Sequence, residues 1–315
     1  MFDANPADLV GTIHKRGERG DLPELPEVET VCRGLAPVME GQIFTEVNQN
    51  RPDLRFPFPI QFESRVTGAK LKHIRRRAKY ICAHLSTGEV LIMHLGMSGR
   101  FTIEPTTGEL ERPGEYVHDT GTIPAHDHVV FRMSNGAVVT YNDPRRFGYM
   151  DLVPETEIEH CKHFVGMGVE PLDNELNAEY LASKAHRRTT DLKAFLLDQR
   201  NIAGLGNIYV CEALYRAGLS PKRKASCLAR ASGKPTDRNE RLVPIIRDVL
   251  NEAIAAGGST LRDYAAADGA LGYFQHAFRV YGREGEPCAT ANCEGRVRRI
   301  VQAGRSTFYC GRCQR

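Results

Sequence analysis

The sequence predicts an α+β fold: a leading helix and an N-terminal antiparallel β-sandwich-like domain, then an all-α domain, then a C-terminal β-hairpin among clustered cysteines. Three observations predict it. Apolar spacing changes from helical to strand-like near Gly41 and returns to helical after residue 157. Paired apolar runs flank glycine-bearing turns within the strand-like stretch. Four of the nine cysteines lie at residue 288 or beyond.

In chain order, Pro26 opens the first helix, Glu27 and Glu29 sit in the first turn where amide dipoles favour acids, and Val28, Val31, Cys32 and Leu35 share a face. The helix should end or kink near Pro37, because proline has no N–H to bond back one turn. Residues 80–85 and 90–94 flank Thr87-Gly88, and residues 129–133 and 138–141 flank Asn135-Gly136. Both read as hairpins, since glycine accepts the positive φ of a tight turn. Between residues 157 and 264 the spacing is helical, in Leu192, Phe195, Leu196 and again in Leu242, Ile245, Ile246, Val249, Leu250, Ala253, closed by Gly257-Gly258. The expected division is a leader of residues 1–22, a β domain of residues 23–154, a helical domain of residues 157–264, and a loop with the cysteine hairpin in residues 265–315.

A chain of 315 residues, 41% hydrophobic and 26% charged, can bury sizeable cores. The net charge is +3; the leader holds three cations against four acids, −1, so the rest carries +4. From residue 288 onward six arginines face a single acid, Glu294, a bias that suits a polyanion, although a solvated basic surface gives the same bias. No apolar run approaches the roughly 18 to 20 residues that cross a bilayer, so no membrane is expected and the protein should be cytoplasmic. Isolated Cys32, Cys82, Cys161, Cys211 and Cys227 suit packing in a reducing compartment.

Four residues separate Cys288 from Cys293, sixteen separate Cys293 from Cys310, and two separate Cys310 from Cys313. Two such knuckles can place four thiolates around one Zn²⁺, and four protein ligands leave no open position, so the ion is structural. Residues 297–301 and 305–309 read as strands turning at Ala303-Gly304, which puts Arg305 at the hairpin tip.

Several strings resemble one family. Leu22-Pro23-Glu24-Leu25-Pro26-Glu27 is similar to the opening of formamidopyrimidine-DNA glycosylases, which lose an initiator methionine and use the exposed proline amine as nucleophile. Arg76-Arg77-Ala78-Lys79-Tyr80, His94-Leu95-Gly96-Met97-Ser98-Gly99, Asp143-Pro144-Arg145-Arg146-Phe147-Gly148, Gly204-Leu205-Gly206-Asn207-Ile208-Tyr209 and Asp268-Gly269-Ala270-Leu271-Gly272-Tyr273-Phe274 extend the resemblance from Leu22 to Arg315. The first cysteine knuckle departs from the family's usual two-residue spacing.

The resemblance implies a helix-two-turn-helix second domain and a bifunctional glycosylase and abasic-site lyase on double-stranded DNA containing oxidised bases. Pro23 would be the nucleophile and Glu24 the general acid and base, with Glu27 in support. Lys79, His94, Asn207 and Arg305 would hold phosphates. Met97, Arg145 and Phe147 would enter the duplex, because an enzyme that extrudes a base must fill the hole and prop the kinked step. Residues 268–274 would close over the purine, Cys288, Cys293, Cys310 and Cys313 would hold one zinc, and the enzyme would act as a monomer.

Inside a chain the Pro23 nitrogen is an amide without nucleophilic power. The implied chemistry therefore requires residues 1–22 to be absent, most simply through a start at Leu22 on a non-AUG codon. Two alternatives stay open: a non-catalytic binder of damaged DNA if the leader is kept, and an endonuclease VIII-like enzyme for oxidised pyrimidines, against which Leu25 and residues 269–274 speak.

Overall fold

The computed structural model describes residues 23–104, 123–259 and 274–315. The leader and nearly all of the 268–274 string lie outside the described residues. Helix α1 (Leu25–Met39) buries Val28, Val31 and Leu35, as its apolar spacing requires. It passes Pro37 and ends two residues later, with Glu40 N–H donating to Ala36 O at 3.0 Å. The proline falls in the last turn, where its missing N–H removes one bond only.

The first domain continues as β1 (Phe44–Gln49), α2 (Phe62–Val66), β2 (Leu71–Arg77), β3 (Tyr80–Leu85), β4 (Glu89–His94), β5 (Arg100–Glu104), β6 (Asp127–Met133), β7 (Val138–Asn142) and β8 (Tyr149–Pro154). Helix α2, only five residues long, is too short to show a period in sequence. The strands form two four-stranded sheets, ordered β1-β6-β7-β5 and β2-β3-β4-β8, and every pairing is antiparallel. Inner faces of both sheets and the apolar face of α1 share one core, in which Phe44 meets Phe131 edge-on at 5.6 Å. Both expected hairpins are present, with Gly88 at φ 83° and Gly136 at φ 84°.

The second part holds α3 (Ala178–Ala185), α4 (Leu192–Leu197), α5 (Asn207–Arg216) and α6 (Asp237–Ala255), followed by the hairpin β9 (Val297–Gln302) and β10 (Arg305–Cys310). Val297 and Phe308 of the hairpin pack into the same core as Leu196, Leu214, Ile246 and Leu250. Residues 274–315 thus share a hydrophobic core with the helices, a contact that spacing along the chain does not reveal. The two parts are fastened by ions: Glu170 pairs with Arg76 at 2.6 Å and with Arg77 at 2.7 Å, while Glu29 of α1 holds Arg76 at 3.0 Å from within the first domain.

Candidate active site and zinc centre

Pro23 is buried and leads directly into Glu24, the N-cap of α1, which is 2% exposed. One Glu24 carboxylate oxygen accepts from Ile208 N–H in the first turn of α5 at 3.2 Å. The positive end of that helix favours the carboxylate anion. Gly206 makes the approach possible: a Cβ there would lie 2.0 Å from the Glu24 carboxyl carbon. Leu25 N–H donates to Gly204 O at 3.3 Å, so the glycine turn of the helical domain is laid over the start of the β domain.

Glu27 holds this start in place. One oxygen accepts from Glu24 N–H at 2.9 Å; the other accepts from Tyr209 Oη at 2.6 Å and from both Ser259 N–H and Ser259 Oγ at 2.8 Å. Burial and the adjacent carboxylate push the Tyr209 phenol well above its ordinary pKa, so it stays a donor. Gln199, which no motif marks, accepts from Gly204 N–H at 2.8 Å and donates to Leu205 O at 2.9 Å, fixing the same turn.

Lys79, His94 and Arg305 line one cavity of about 300 Å³ together with Gly206, Gln199 and Tyr80. A larger hollow of about 550 Å³ beside α2 is lined by no cation. Lys79 sits in the β2–β3 turn, made tight by Ala78 at φ 51°. Its neighbours Arg76 and Arg77 are engaged by Glu29 and Glu170, which leaves Lys79 as the member of the basic run that faces the cavity. Arg305 follows Ala303 (φ 48°) and Gly304 (φ 73°) at the tip of the β9–β10 turn, as its spacing predicts.

His94 ends β4 and stacks on Tyr149 with centroids 5.2 Å apart and planes at 12°. Burial first, then the charge of Lys79 and Arg55, lowers its pKa to about 4, so the ring is neutral at pH 7. Gly96 N–H donates to Nδ1 at 3.0 Å, which assigns the ring proton to Nε2. This neutral ring lines the cavity beside Lys79.

Asn207 opens α5 directly after the glycine turn. It is 2% exposed, and its Nδ2 donates to Ser306 O at 3.0 Å and to Tyr281 Oη at 3.3 Å. The side chain thereby couples the glycine turn to the hairpin of Arg305. Met97 is half-buried, whereas Phe147 is 44% exposed with the Arg145 guanidinium 5.3 Å above its ring. Of the 268–274 string only Phe274 is described, and it is buried in the helical core.

The four sulfurs of Cys288, Cys293, Cys310 and Cys313 all lie within 4.8 Å of one another. Contacts of 3.2, 3.7 and 3.9 Å are close to the separation of about 3.8 Å that tetrahedral bonds of about 2.3 Å to zinc impose. Gly295 completes the cradle, since a Cβ there would stand 2.7 Å from the Cys310 sulfur. The longer first knuckle is tied to α5: Tyr215 Oη lies 3.4 Å from the Cys288 sulfur and 2.7 Å from Thr290 Oγ1. Donor set and geometry fit one structural zinc. Replacing Cys310 by Ser should release the ion and, because the hairpin shares its core with the helices, weaken DNA binding by about tenfold. Colorimetric zinc release and fluorescence anisotropy check this, and unchanged affinity after zinc loss would make the finger a spectator.

A cavity lined by Lys79, His94 and Arg305 beside the buried Glu24 carboxylate suits an enzyme that acts on a polyanion such as DNA. Comparison with known proteins agrees. Sequence profiles match the formamidopyrimidine-DNA glycosylase N-terminal domain over residues 22–150, the H2TH domain of the same enzymes over residues 167–265, and a zinc finger found in FPG and IleRS over residues 285–315. A formamidopyrimidine-DNA glycosylase of Methylobacterium sp. (strain 4-46) is 60% identical over 294 residues, covering 93% of this chain and 99% of that protein. Among solved structures, Lactococcus lactis Fpg with DNA containing an abasic site superimposes with a TM-score of 0.76 at 30% identity, covering 93% of this chain and 100% of the other. MutM in complex with DNA containing carbocyclic 8-oxo-G gives 0.75 at 30% identity, again covering 93% and 100%. The chain belongs to the formamidopyrimidine-DNA glycosylase family. As a member it is a DNA glycosylase of base excision repair, an activity joined in this family to abasic-site cleavage.

Proposed function

We propose that the protein removes oxidised purines, formamidopyrimidines and 8-oxoguanine, from duplex DNA through the amine of Pro23. That nitrogen attacks C1′ as the glycosidic bond breaks and the base leaves with a proton; the nitrogen then gives up its own proton, the C1′–O4′ bond opens with a proton passing to O4′, and an iminium joins Pro23 to C1′. Glu24 carries protons at the sugar. The iminium acidifies C2′; loss of that proton expels the 3′ phosphate, and a second elimination expels the 5′ phosphate. Lys79, His94 and Arg305 hold backbone phosphates around the extruded nucleotide, and Met97, Arg145 and Phe147 fill the gap it leaves. Asn207 acts by holding the Arg305 hairpin against the glycine turn. Residues 1–22 form no part of the working enzyme, residues 23–154 and 157–264 supply the two walls of the site, and residues 265–315 supply the purine-covering loop and the zinc finger.

The observation that carries this reading is the Glu24 carboxylate, next in sequence to Pro23 and seated on the α5 terminus beside the cavity of Lys79, His94 and Arg305. No described helix is long and apolar enough to cross a membrane. A monomer working on cytoplasmic DNA fits the reading. Single-turnover excision from duplexes carrying 8-oxoguanine, formamidopyrimidine or an oxidised pyrimidine is the test. The purines should leave faster by about tenfold or more, and faster loss of the pyrimidine would favour an endonuclease VIII-like enzyme.

A further inference from the structure

The two loops that carry Met97 and Phe147 are far apart in sequence yet touch through their backbones. Gly96, at φ 64°, has no room for a side chain: a Cβ would lie 2.3 Å from Gly148 N and 2.3 Å from the Phe147 carbonyl carbon. Beneath this contact lies Asp143, whose side chain is completely buried. Its Oδ1 accepts from Ser98 Oγ at 2.6 Å and from Arg145 N–H at 3.3 Å. Its Oδ2 accepts from Gly148 N–H at 2.8 Å and from Tyr141 Oη at 3.4 Å. Its backbone oxygen is 2.8 Å from His128 Nε2. Ser98 also accepts from Arg145 N–H at 3.2 Å, so one hydroxyl bridges the loops in both directions.

All four groups around the carboxylate are donors, and no cation pairs with it among the described residues. Only a group with two acceptor oxygens satisfies them; an amide would turn hydrogens toward donors. A buried carboxylate without an ion pair is costly unless hydrogen bonds replace its water, and these bonds are satisfied only while both loops keep this arrangement. Breaking one loop away strands donors and acceptor together.

We infer that Asp143 is the positioning residue of the DNA wedge: it locks the Met97 loop and the Arg145-Phe147 loop into one rigid body, so that they enter the duplex together when the damaged base is extruded. This rests on the glycosylase reading above. Its consequence is selective. Excising a base requires the wedge to hold the helix open, while cutting a preformed abasic site involves no base to extrude or keep out of the stack. Loosening the wedge must therefore slow the first reaction more than the second.

The test compares wild type, Asp143→Asn and Ser98→Ala, each shown to be folded by thermal unfolding and zinc content. Two single-turnover rates are measured, excision of 8-oxoguanine opposite cytosine and cutting of an abasic-site duplex. In Asp143→Asn, excision should fall by about tenfold or more while abasic cutting falls by about threefold or less. Ser98→Ala should shift the ratio the same way by a smaller factor, and it carries the test if Asp143→Asn does not fold. In addition, Met97→Ala and Phe147→Ala should be non-additive on excision in the wild-type background and additive beside Asp143→Asn. Equal loss of both rates, or an unchanged ratio in the folded variants, overturns the inference. Absence of 8-oxoguanine excision by the wild type would instead overturn the glycosylase reading itself.

Discussion

Protein that begins at Pro23 is expected to form a covalent adduct with an 8-oxoguanine duplex on borohydride reduction, and protein that retains residues 1–22 is expected to form none. The difference lies in one atom. A chain-terminal α-amine in general titrates near pKa ~8, so about a quarter is neutral at pH 7.5, against about a thousandth of a lysine at pKa ~10.4. As an internal amide its lone pair is held by the carbonyl at any pH. The family profile begins at residue 22, and 294 residues of this chain span 99% of the Methylobacterium relative. N-terminal sequencing of the cellular protein, with trapping of both forms, decides the matter. Lesion excision by a chain proven to keep all 22 leading residues would require another attacking group.

Replacing Glu24 by Gln should leave lesion binding intact and reduce excision by roughly 10²- to 10⁴-fold, the range that a positioned proton carrier contributes. Glutamine keeps the volume that Gly206 accommodates and an oxygen that can accept from Ile208 N–H, so the seat on α5 survives. What it loses is the ability to take and return a proton. Gel-shift affinity and single-turnover rate on the same duplex separate the two properties, with the variant expected on uncut DNA. A fall in affinity as large as the fall in rate would make Glu24 a structural group.

Much of the molecule is legible in order along the chain. Asn135-Gly136 and Thr87-Gly88 mark their hairpins because a local rule, positive φ at glycine, governs a tight turn wherever it occurs. Cysteine spacing marks the zinc centre because short knuckles can close on an ion without help from distant residues. Pro37 marks the end of α1 to within two residues, since a last turn has few bonds to lose. The family strings point to Pro23, Glu24, Lys79, His94 and Arg305 as candidates, one segment at a time.

What the chain order leaves open is which of these residues meet. Arg76, Arg77 and Lys79 look alike in sequence, and only the position of Glu170, some ninety residues on, withdraws two of them from the cavity. Asn207 follows a glycine turn as a phosphate donor would, yet Ser306 and Tyr281 draw its amide toward the hairpin. Asp143 carries no local sign of its task, because its donors arrive from Ser98 and Tyr141 as well as from its own loop. Residue type, spacing and turn chemistry are short-range properties that the amino-acid order determines directly. Convergence of charges, and the withdrawal of some of them by buried partners, depends on the packing of two cores against each other, and that was decided only in three dimensions.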